Sequence, residues 1–183
     1  MNKIPTLFVR DPDNLRWVTT LVHRDCRWVI DGEGVATRKY DGTCVMFDGQ
    51  RWWARREVKP NKQPPLDFWP VGSDPNTGKT VGWEPAGQSS FRDLLSEAWS
   101  AAPGPFTAWS PGTYELCGPK INGNRELLRA HTLIAHSAAE RVPGAPRDFD
   151  GLRAWLKAHP GWEGLVWHHA DGRMAKIKWK DFA

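Results

Sequence analysis

The sequence predicts an α+β domain of mainly antiparallel sheets flanked by helices. Short β-prone runs are joined by Asp-Gly turns, which is typical of antiparallel hairpins. Two separated segments place apolar residues at helical spacing. Hydrophobic residues make up 40% of the 183 residues. That fraction is enough for the core of one compact domain, so we expect residues 1–183 to form a single domain.

The strongest strand signal lies within residues 33–56. Residues 43–47 form a dense β-prone run, Asp48-Gly49 is a turn dipeptide, and residues 51–55 follow as the return strand. The next stretch, residues 59–87, holds six prolines and several glycines. Because proline and glycine interrupt regular structure, we expect a Pro-rich loop there.

Two helices are predicted after this loop. The first opens at Ser90 with a capping-box pattern, and the second runs from Asp148 to His159 and is stopped by Pro160-Gly161. The remaining strand-like segments are Gly112–Cys117, His131–Ser137, Glu163–His169 and Met174–Lys180. Runs of strands with two separated helices indicate an α+β domain.

The composition excludes two classes of protein. No apolar run is long enough to span a bilayer and no signal segment is present, so we expect a cytoplasmic protein. Cys26, Cys44 and Cys117 are odd in number and far apart, which predicts reduced thiols rather than a disulfide framework. The net charge of +4 and twelve tryptophans favour a polyanionic partner whose bases stack on aromatic faces.

The segment Lys39-Tyr40-Asp41-Gly42 contains the candidate nucleophile. A lysine amine attacks phosphorus only when it is unprotonated and aimed, so it needs burial or positive neighbours such as Arg38 and Arg55. In an extended segment Asp41 shares a face with Lys39 and can orient its amine. Gly42 allows a sharp turn or a close approach by a ligand. Taken alone, the same four residues are also typical of a surface hairpin turn.

Further charged residues recur in the later strands. Glu115 lies in the strand-like segment 112–117, and Glu163 opens the next one. In the final segment Lys176, Lys178 and Lys180 line one face, because alternate residues of a strand point to the same side. Three adjacent cations repel each other unless an anion is bound there. The alternative is a solvated edge strand whose lysines prevent aggregation.

In this order and spacing, these segments resemble the covalent nucleotidyltransferase superfamily of DNA ligases, RNA ligases and capping enzymes. The resemblance runs from about Gly32 to Lys180. One branch, the small ATP-dependent 5′-to-3′ RNA ligases, is most similar in the segments Ala36–Thr43, Trp53–Arg56 with Lys59–Gln63, and Gly118–Asn124. The resemblance implies an adenylyltransferase fold and RNA repair by ligation.

The resemblance also implies roles for individual residues. Lys39 would form the lysyl-AMP intermediate, Asp41 would orient it, and Glu163 would hold the catalytic metal. Lys176 and Lys178 would neutralise the α-phosphate of ATP, in agreement with the general use of positive charge in phosphoryl transfer. The remaining nucleotide-binding residues would be Arg38, Arg55 at the AMP phosphate or ribose edge, and Glu115 at the ribose. The implied cofactor is Mg²⁺, with Mn²⁺ as a substitute, and the implied substrate is RNA with 5′-phosphate and 3′-hydroxyl ends.

Two features depart from the superfamily pattern. The strand expected to carry an adenine-stacking aromatic residue contains His136, which could stack on adenine or be an ordinary strand histidine. An aliphatic residue of this strand could also serve in place of the aromatic one. The chain ends three residues after Lys180, so we expect no C-terminal OB domain of the kind that DNA ligases and capping enzymes carry. The rival hypotheses are a nick-joining DNA ligase or capping guanylyltransferase, and a catalytically silent nucleic-acid-binding module of the same fold.

Overall fold

The computed structural model describes residues 3–74, 77–101 and 109–182. It confirms an α+β structure, because all pairs of named strands are antiparallel and few helices accompany them. The chain divides into two compact units. The central unit comprises Gly42–Ala138 with Met1–Lys3, and the terminal unit comprises Ile4–Asp41 with Ala139–Ala183.

The regular elements are short. In chain order the strands are β1 (Phe8–Arg10), β2 (Val18–Val22), β3 (Val35–Lys39), β4 (Thr43–Phe47), β5 (Trp52–Val58), β6 (Trp69–Ser73), β7 (Thr80–Pro85), β8 (Gly112–Cys117), β9 (Thr132–Ala135), β10 (Gly164–His168) and β11 (Met174–Lys178). The helices are α1 (Arg27–Ile30), α2 (Arg92–Ser100) and α3 (Phe149–Ala158). None of the described helices is long and apolar enough to cross a membrane.

The central unit is a six-stranded sheet with the strand order β6-β7-β5-β4-β8-β9. The hairpin predicted within residues 33–56 is present as β4 and β5, joined through Asp48. Val45 and Leu116 are fully buried in the core of this unit, where Leu95 and Ala98 of α2 also pack. The sheet therefore buries one face under α2.

The prediction of a Pro-rich loop over residues 59–87 is wrong for residues 69–73 and 80–85. Strands β6 and β7 lie within it and pair with each other and with β5. Strand β6 lies at the edge of the sheet, and the register shifts between Pro70 and Gly72. A proline is tolerated on an edge strand because its missing N–H removes no interior ladder bond.

Both predicted helices are present, and one of them begins with a side-chain cap. Asp148 caps α3 by accepting a hydrogen bond of 2.8 Å from the Gly151 N–H. Helix α2 begins at Arg92 without a side-chain cap, so the capping-box prediction at Ser90 is wrong. A 3-10 turn over Ala86–Gln88 ends four residues before Arg92, and the Ser89 carbonyl accepts a hydrogen bond of 3.2 Å from the Arg92 N–H.

The terminal unit is built around the three-stranded sheet β11-β10-β3 and the hairpin β1-β2. Leu165 and Trp167 of β10 are fully buried against Leu152 and Leu156 of α3. Residues 139–182 return to pair with β3, so segments far apart in the chain form a single sheet.

The final strand is shorter than predicted. It ends at Lys178, and Lys180 lies in a 3-10 turn over Trp179–Asp181. The buried Asp181 carboxylate stabilises this turn by accepting hydrogen bonds of 2.9 Å from the Lys178 N–H and 2.8 Å from Arg10 Nη2. Lys180 therefore does not lie on the strand face that Lys176 and Lys178 share, which corrects the prediction.

Replacing Leu152 by alanine should destabilise the protein by roughly 2–5 kcal/mol, because a fully buried leucine leaves a cavity in a core that relaxes only in part. The measurement is the free energy of unfolding in urea. Leu15→Ala is the matched control, since Leu15 is 71% exposed and its loss should change that free energy by less than about 0.5 kcal/mol. Equal effects of the two substitutions would contradict the assigned core.

Candidate active site

The lysine face of the terminal unit follows from the strand register. Lys39 of β3 and Lys178 of β11 both lie directly opposite Gly164 of the central strand β10. One pair further along, Lys176 and Thr37 lie opposite Val166. Because side chains alternate across a strand, these residues share the sheet face opposite Leu165 and Ile177, which are buried in the core. The three lysines predicted to act on phosphate are thus brought together.

Glu163 lies at the centre of this lysine face. Its Oε2 accepts a hydrogen bond from Lys39 Nζ, and its Oε1 accepts one from Lys178 Nζ. The Glu163 side chain is 6% exposed, and the two lysine side chains are 19% and 18% exposed. Burial alone raises the pKa of the Glu163 carboxyl, but the charges of Lys39 and Lys178 outweigh it and hold the pKa below its ordinary value. Glu163 is therefore an ionised carboxylate shared by two ammonium groups.

Gly164 allows the strands to approach closely at this point. A Cβ atom there would collide with the carbonyl oxygen of Ile177 and would lie 2.8 Å from the Cα of Lys178. The Glu163 carbonyl also accepts a hydrogen bond of 2.9 Å from the Trp179 N–H. The backbone itself therefore fixes the position of Lys178 beside Glu163. This role of Gly164 was not predicted from the sequence, although a glycine directly after the predicted metal ligand was a signal for close packing.

Lys176 has a perturbed pKa on this face. Burial, as the largest cause, and the positive charges of Lys178 and Lys39 together lower the pKa of its ammonium to about 8, although Asp181 and Glu163 oppose the shift. An ammonium in this position is poorly solvated and repelled by its neighbours. The charge excess of the face is therefore an unfavourable arrangement that a bound anion would relieve.

The other residues predicted near Lys39 lie differently. Arg38 points to the opposite side of β3, where its guanidinium lies 4.8 Å from the Tyr40 ring centre and 4.7 Å from that of Trp162. It also forms an ion pair of 3.7 Å with Glu140. The structure thus places Arg38 among aromatic rings rather than with the lysines. Asp41 follows β3 by two residues and is the last residue of this segment of the terminal unit.

The central unit contains the remaining predicted residues. Glu115 of β8 is buried, and its Oε2 lies 2.9 Å from Nε2 of His136. The other ring nitrogen of His136, Nδ1, lies 2.9 Å from the Thr113 hydroxyl. Strand β9 ends before His136, which lies in a 3-10 turn, so the predicted strand 131–137 is shorter at both ends. Both nitrogens of His136 are engaged, and the side chain orients Glu115.

Thr113 was missed by the sequence analysis. It lies two residues before Glu115 on the same strand, so the two side chains share a face and can both reach one imidazole. That spacing was the available signal. Arg55 lies on β5, and its buried Nε has no hydrogen-bond partner among the residues that the structure describes. A buried donor without a partner is costly and suggests that a ligand or water supplies the acceptor.

Gly42 of the Lys-x-Asp-Gly segment packs directly on β8. A Cβ atom at this position would lie 2.5 Å from the Leu116 carbonyl oxygen, 2.7 Å from Cys117 Sγ and 2.7 Å from Glu115 Cγ. Its carbonyl oxygen accepts a hydrogen bond of 2.9 Å from Asn122 Nδ2. Glycine is therefore required here for backbone packing beside Glu115, which a surface hairpin turn would not demand. Asn122 was also missed by the sequence analysis.

The described residues contain no group of three or more histidine, cysteine, aspartate or glutamate side chains that could hold a metal ion. Glu163 is the carboxylate on the lysine face that could bind one. A single carboxylate fits Mg²⁺ or Mn²⁺, since magnesium is commonly bound through one or two carboxylates with water and substrate phosphates. Such binding requires rearrangement of at least one of the Glu163 ion pairs, because both oxygens accept lysine hydrogen bonds.

The predicted residues thus fall into two groups. Arg38, Lys39, Asp41, Glu163, Lys176 and Lys178 belong to the terminal unit, and Arg55, Glu115 and His136 belong to the central unit. No protein-family model matches this chain, and no curated protein is significantly similar to it. The functional inference therefore depends on the chemistry of these residues and on the resemblance of their motifs.

Replacing Lys176 by methionine should stabilise the folded protein at pH 7 by on the order of 2 kcal/mol, because it removes a poorly solvated charge. Since the pKa of Lys176 lies below its ordinary value, the folded wild type loses this proton at about pH 8 while the unfolded chain retains it. The stability of the wild type should therefore rise towards that of the variant between about pH 8 and 10.5.

The measurement is the difference in unfolding free energy between variant and wild type across this pH range. Lys180→Met is the control, because Lys180 is exposed in the turn after β11 and should show no such pH-dependent difference. A stability difference for Lys176→Met that stays constant from pH 7 to 10.5 would contradict the assignment.

Proposed function

We propose that this protein is an ATP-dependent RNA ligase that works through a lysyl-AMP intermediate on Lys39. The observation that carries the proposal is the lysine face, where Lys39, Lys176 and Lys178 surround one carboxylate, Glu163. Three ammonium groups and one carboxylate leave an excess of positive charge in a mostly buried place. Phosphoryl transfer is catalysed mainly by positioning and by positive charge, so this face suits a polyphosphate.

In the first reaction Lys39 Nζ attacks the α-phosphorus of ATP. The N–P bond forms, the bond between the α-phosphorus and the bridging oxygen breaks, and pyrophosphate leaves with that electron pair. The Lys39 ammonium donates a hydrogen bond to Glu163, so attack requires this pair to separate and the nitrogen to release a proton to solvent water. Lys176 and Lys178 would stabilise the charge on the phosphate oxygens. Glu163 would hold Mg²⁺ or Mn²⁺, which supplies further stabilisation of phosphate charge.

The nucleoside part of ATP would be recognised by the residues that the motif resemblance names. Glu115 is suited to accept hydrogen bonds from ribose hydroxyls, because its contact with His136 orients the carboxylate in advance. The buried Arg55 Nε would find its missing acceptor in the phosphate or ribose of AMP. His136 would orient Glu115, because Thr113 and Glu115 engage both of its ring nitrogens. These contacts lie in the plane of the ring and do not exclude stacking of its face on adenine.

Two further steps complete the ligation. The RNA 5′-phosphate attacks the phosphorus of lysyl-AMP, which frees Lys39 and leaves AMP joined to the RNA end through a pyrophosphate linkage. The RNA 3′-hydroxyl then attacks the 5′-phosphate phosphorus, the phosphodiester forms, and AMP leaves. Each of these steps develops negative charge on phosphate oxygens, as the first reaction does. The same lysines would therefore stabilise phosphate charge in all three steps.

Lys39→Ala should abolish covalent labelling of the protein by α-labelled ATP with Mg²⁺, because no other residue would form the phosphoramide. Lys178→Ala should slow labelling on the order of 10²-fold or more, since it removes a positioned cation. The assay is denaturing electrophoresis with excess pyrophosphate to reverse the label. Lys180→Ala is the matched control and should label normally, because this exposed lysine is outside the lysine face. Full labelling of Lys39→Ala would disprove the assignment.

The wild type should seal RNA ends bearing a 5′-phosphate and a 3′-hydroxyl, with ATP preferred over GTP. Pre-adenylated RNA should be joined without added ATP, because the first step is bypassed. Matched RNA and DNA substrates, single-stranded and nicked, would be compared side by side. Efficient sealing of nicked DNA with no activity on RNA would indicate a DNA ligase. Labelling by GTP alone would indicate a capping enzyme, and nucleic-acid binding without an adenylate would indicate a catalytically silent module.

A further inference from the structure

Residues 118–131 of the central unit, here called the basic loop, carry a concentration of positive charge. The loop connects β8 to β9 and contains Lys120, Arg125 and Arg129 against a single acidic residue, Glu126. Its formal charge of +2 is half of the net +4 of the whole chain. The three basic residues are all exposed. A polyanion approaching this loop would therefore meet positive charge that is accessible to it.

The basic loop is also fixed in an unusual conformation. Asn122, Asn124 and Leu127 have φ angles of 47°, 52° and 52°, in the left-handed region. Asparagine visits this region with little cost, but leucine does so rarely and unfavourably. The Asn124 side chain closes the loop by donating to the Leu128 carbonyl at 2.9 Å and accepting from the Leu128 N–H at 3.0 Å.

Buried anchors connect both ends of the loop to the central unit. Ile121 is 6% exposed, and Asn122 donates to the carbonyl of Gly42, the residue that follows Asp41. At the far end His131 is buried, with its Nδ1 2.9 Å from Glu97 Oε2. A loop fixed in this way presents its basic side chains from a defined backbone, so less conformational entropy is lost when a ligand binds.

Leu127 is the second indication of a ligand. It is 85% exposed, so its side chain gains little from packing within the protein, yet its backbone adopts a conformation that disfavours leucine. Glycine would adopt the same φ angle without this cost. An exposed apolar side chain fixed beside three cations fits a partner that offers both phosphate groups and flat apolar surfaces. Single-stranded nucleic acid has both, because its bases are unpaired and its backbone is charged.

We propose that the basic loop is a binding surface for the single-stranded end of the RNA substrate. Lys120, Arg125 and Arg129 contact backbone phosphates, and Leu127 packs against an unpaired base or ribose. This inference rests on the proposed ligase function for the identity of the nucleic acid. The loop contributes to RNA affinity and to the second and third steps of ligation, and it takes no part in the reaction of Lys39 with ATP.

The test compares the wild type with three variants of the full chain: Lys120→Ala/Arg125→Ala/Arg129→Ala in the loop, Leu127→Gly, and the control Arg16→Ala/Arg24→Ala/Arg27→Ala. The control removes the same charge from exposed positions of the terminal unit. The probe is a fluorescent single-stranded RNA with a 5′-phosphate, and its dissociation constant is measured by anisotropy over a range of salt concentrations. Labelling by α-labelled ATP and thermal stability are measured in parallel.

The loop triple variant should bind RNA at least about 10-fold more weakly than the wild type at low salt. The slope of the logarithm of its association constant against the logarithm of salt concentration should be smaller by about 2, as expected for loss of three phosphate contacts to a single strand. Leu127→Gly should weaken binding without changing that slope, while its melting temperature stays the same or rises. Both variants should retain wild-type labelling by ATP. The control variant should show a smaller loss of affinity and a smaller change of slope than the loop triple variant.

The inference is overturned if the loop and control triple variants lose the same affinity and slope, or if the wild type does not bind the RNA. It is also overturned if Leu127→Gly binds RNA as tightly as the wild type. Failure of the proposed function looks different, because the wild type would then take no label from ATP whatever its RNA affinity. Normal labelling with unchanged RNA binding in the loop variants would remove only this inference.

Discussion

The contact on which the candidate chemistry depends is the shared hydrogen bonding of Glu163 with Lys39 and Lys178. One buried carboxylate lies between two ammonium groups that come from strands at opposite edges of a three-stranded sheet. Removing one partner of such a buried pair generally costs several kcal/mol, because the remaining charge is left uncompensated. Lys176 projects from the same face of β11, two residues before Lys178. The ion pairs thus depend on the sheet register and on Gly164, which together bring the charged side chains within reach of each other.

Much of the fold could be predicted from the sequence where local signals are strong. The β4–β5 hairpin followed from its Asp-Gly turn, and α3 followed from the helical spacing of its apolar residues, because both signals lie within a few residues of the element they define. Residues 59–87 were harder, since proline and glycine predict a loop unless the strand lies at a sheet edge, and strand order depends on tertiary structure. The end of β11 before Lys180 was also hard to predict, because it depends on a contact between Asp181 and Arg10, which are far apart in the sequence.

The candidate site shows the same division. Motif order identified Lys39, Glu163, Lys176 and Lys178, and the strand register places all four on or beside one sheet face. The partners that orient the site were not predictable from motif order alone. Asn122 contacts Gly42 across 80 residues, and Thr113 reaches Glu115 only through a histidine supplied by another part of the chain. Such orienting contacts depend on three-dimensional proximity, whereas charged motif residues can be recognised from their type and order.

The insertion of the central unit between two segments of the terminal unit has a consequence for synthesis. The carboxylate of Glu163 that pairs with Lys39 is 124 residues further along the chain, and the strand that pairs with β3 follows it. A ribosome therefore adds Glu163 to the nascent chain only after residues 42–138 of the central unit. Messages cut short before codon 163 would yield polypeptides that contain the intact Lys-x-Asp-Gly segment but lack the lysine face. Under the proposed function, such polypeptides could not charge themselves with nucleotide, because Glu163, Lys176 and Lys178 would be missing.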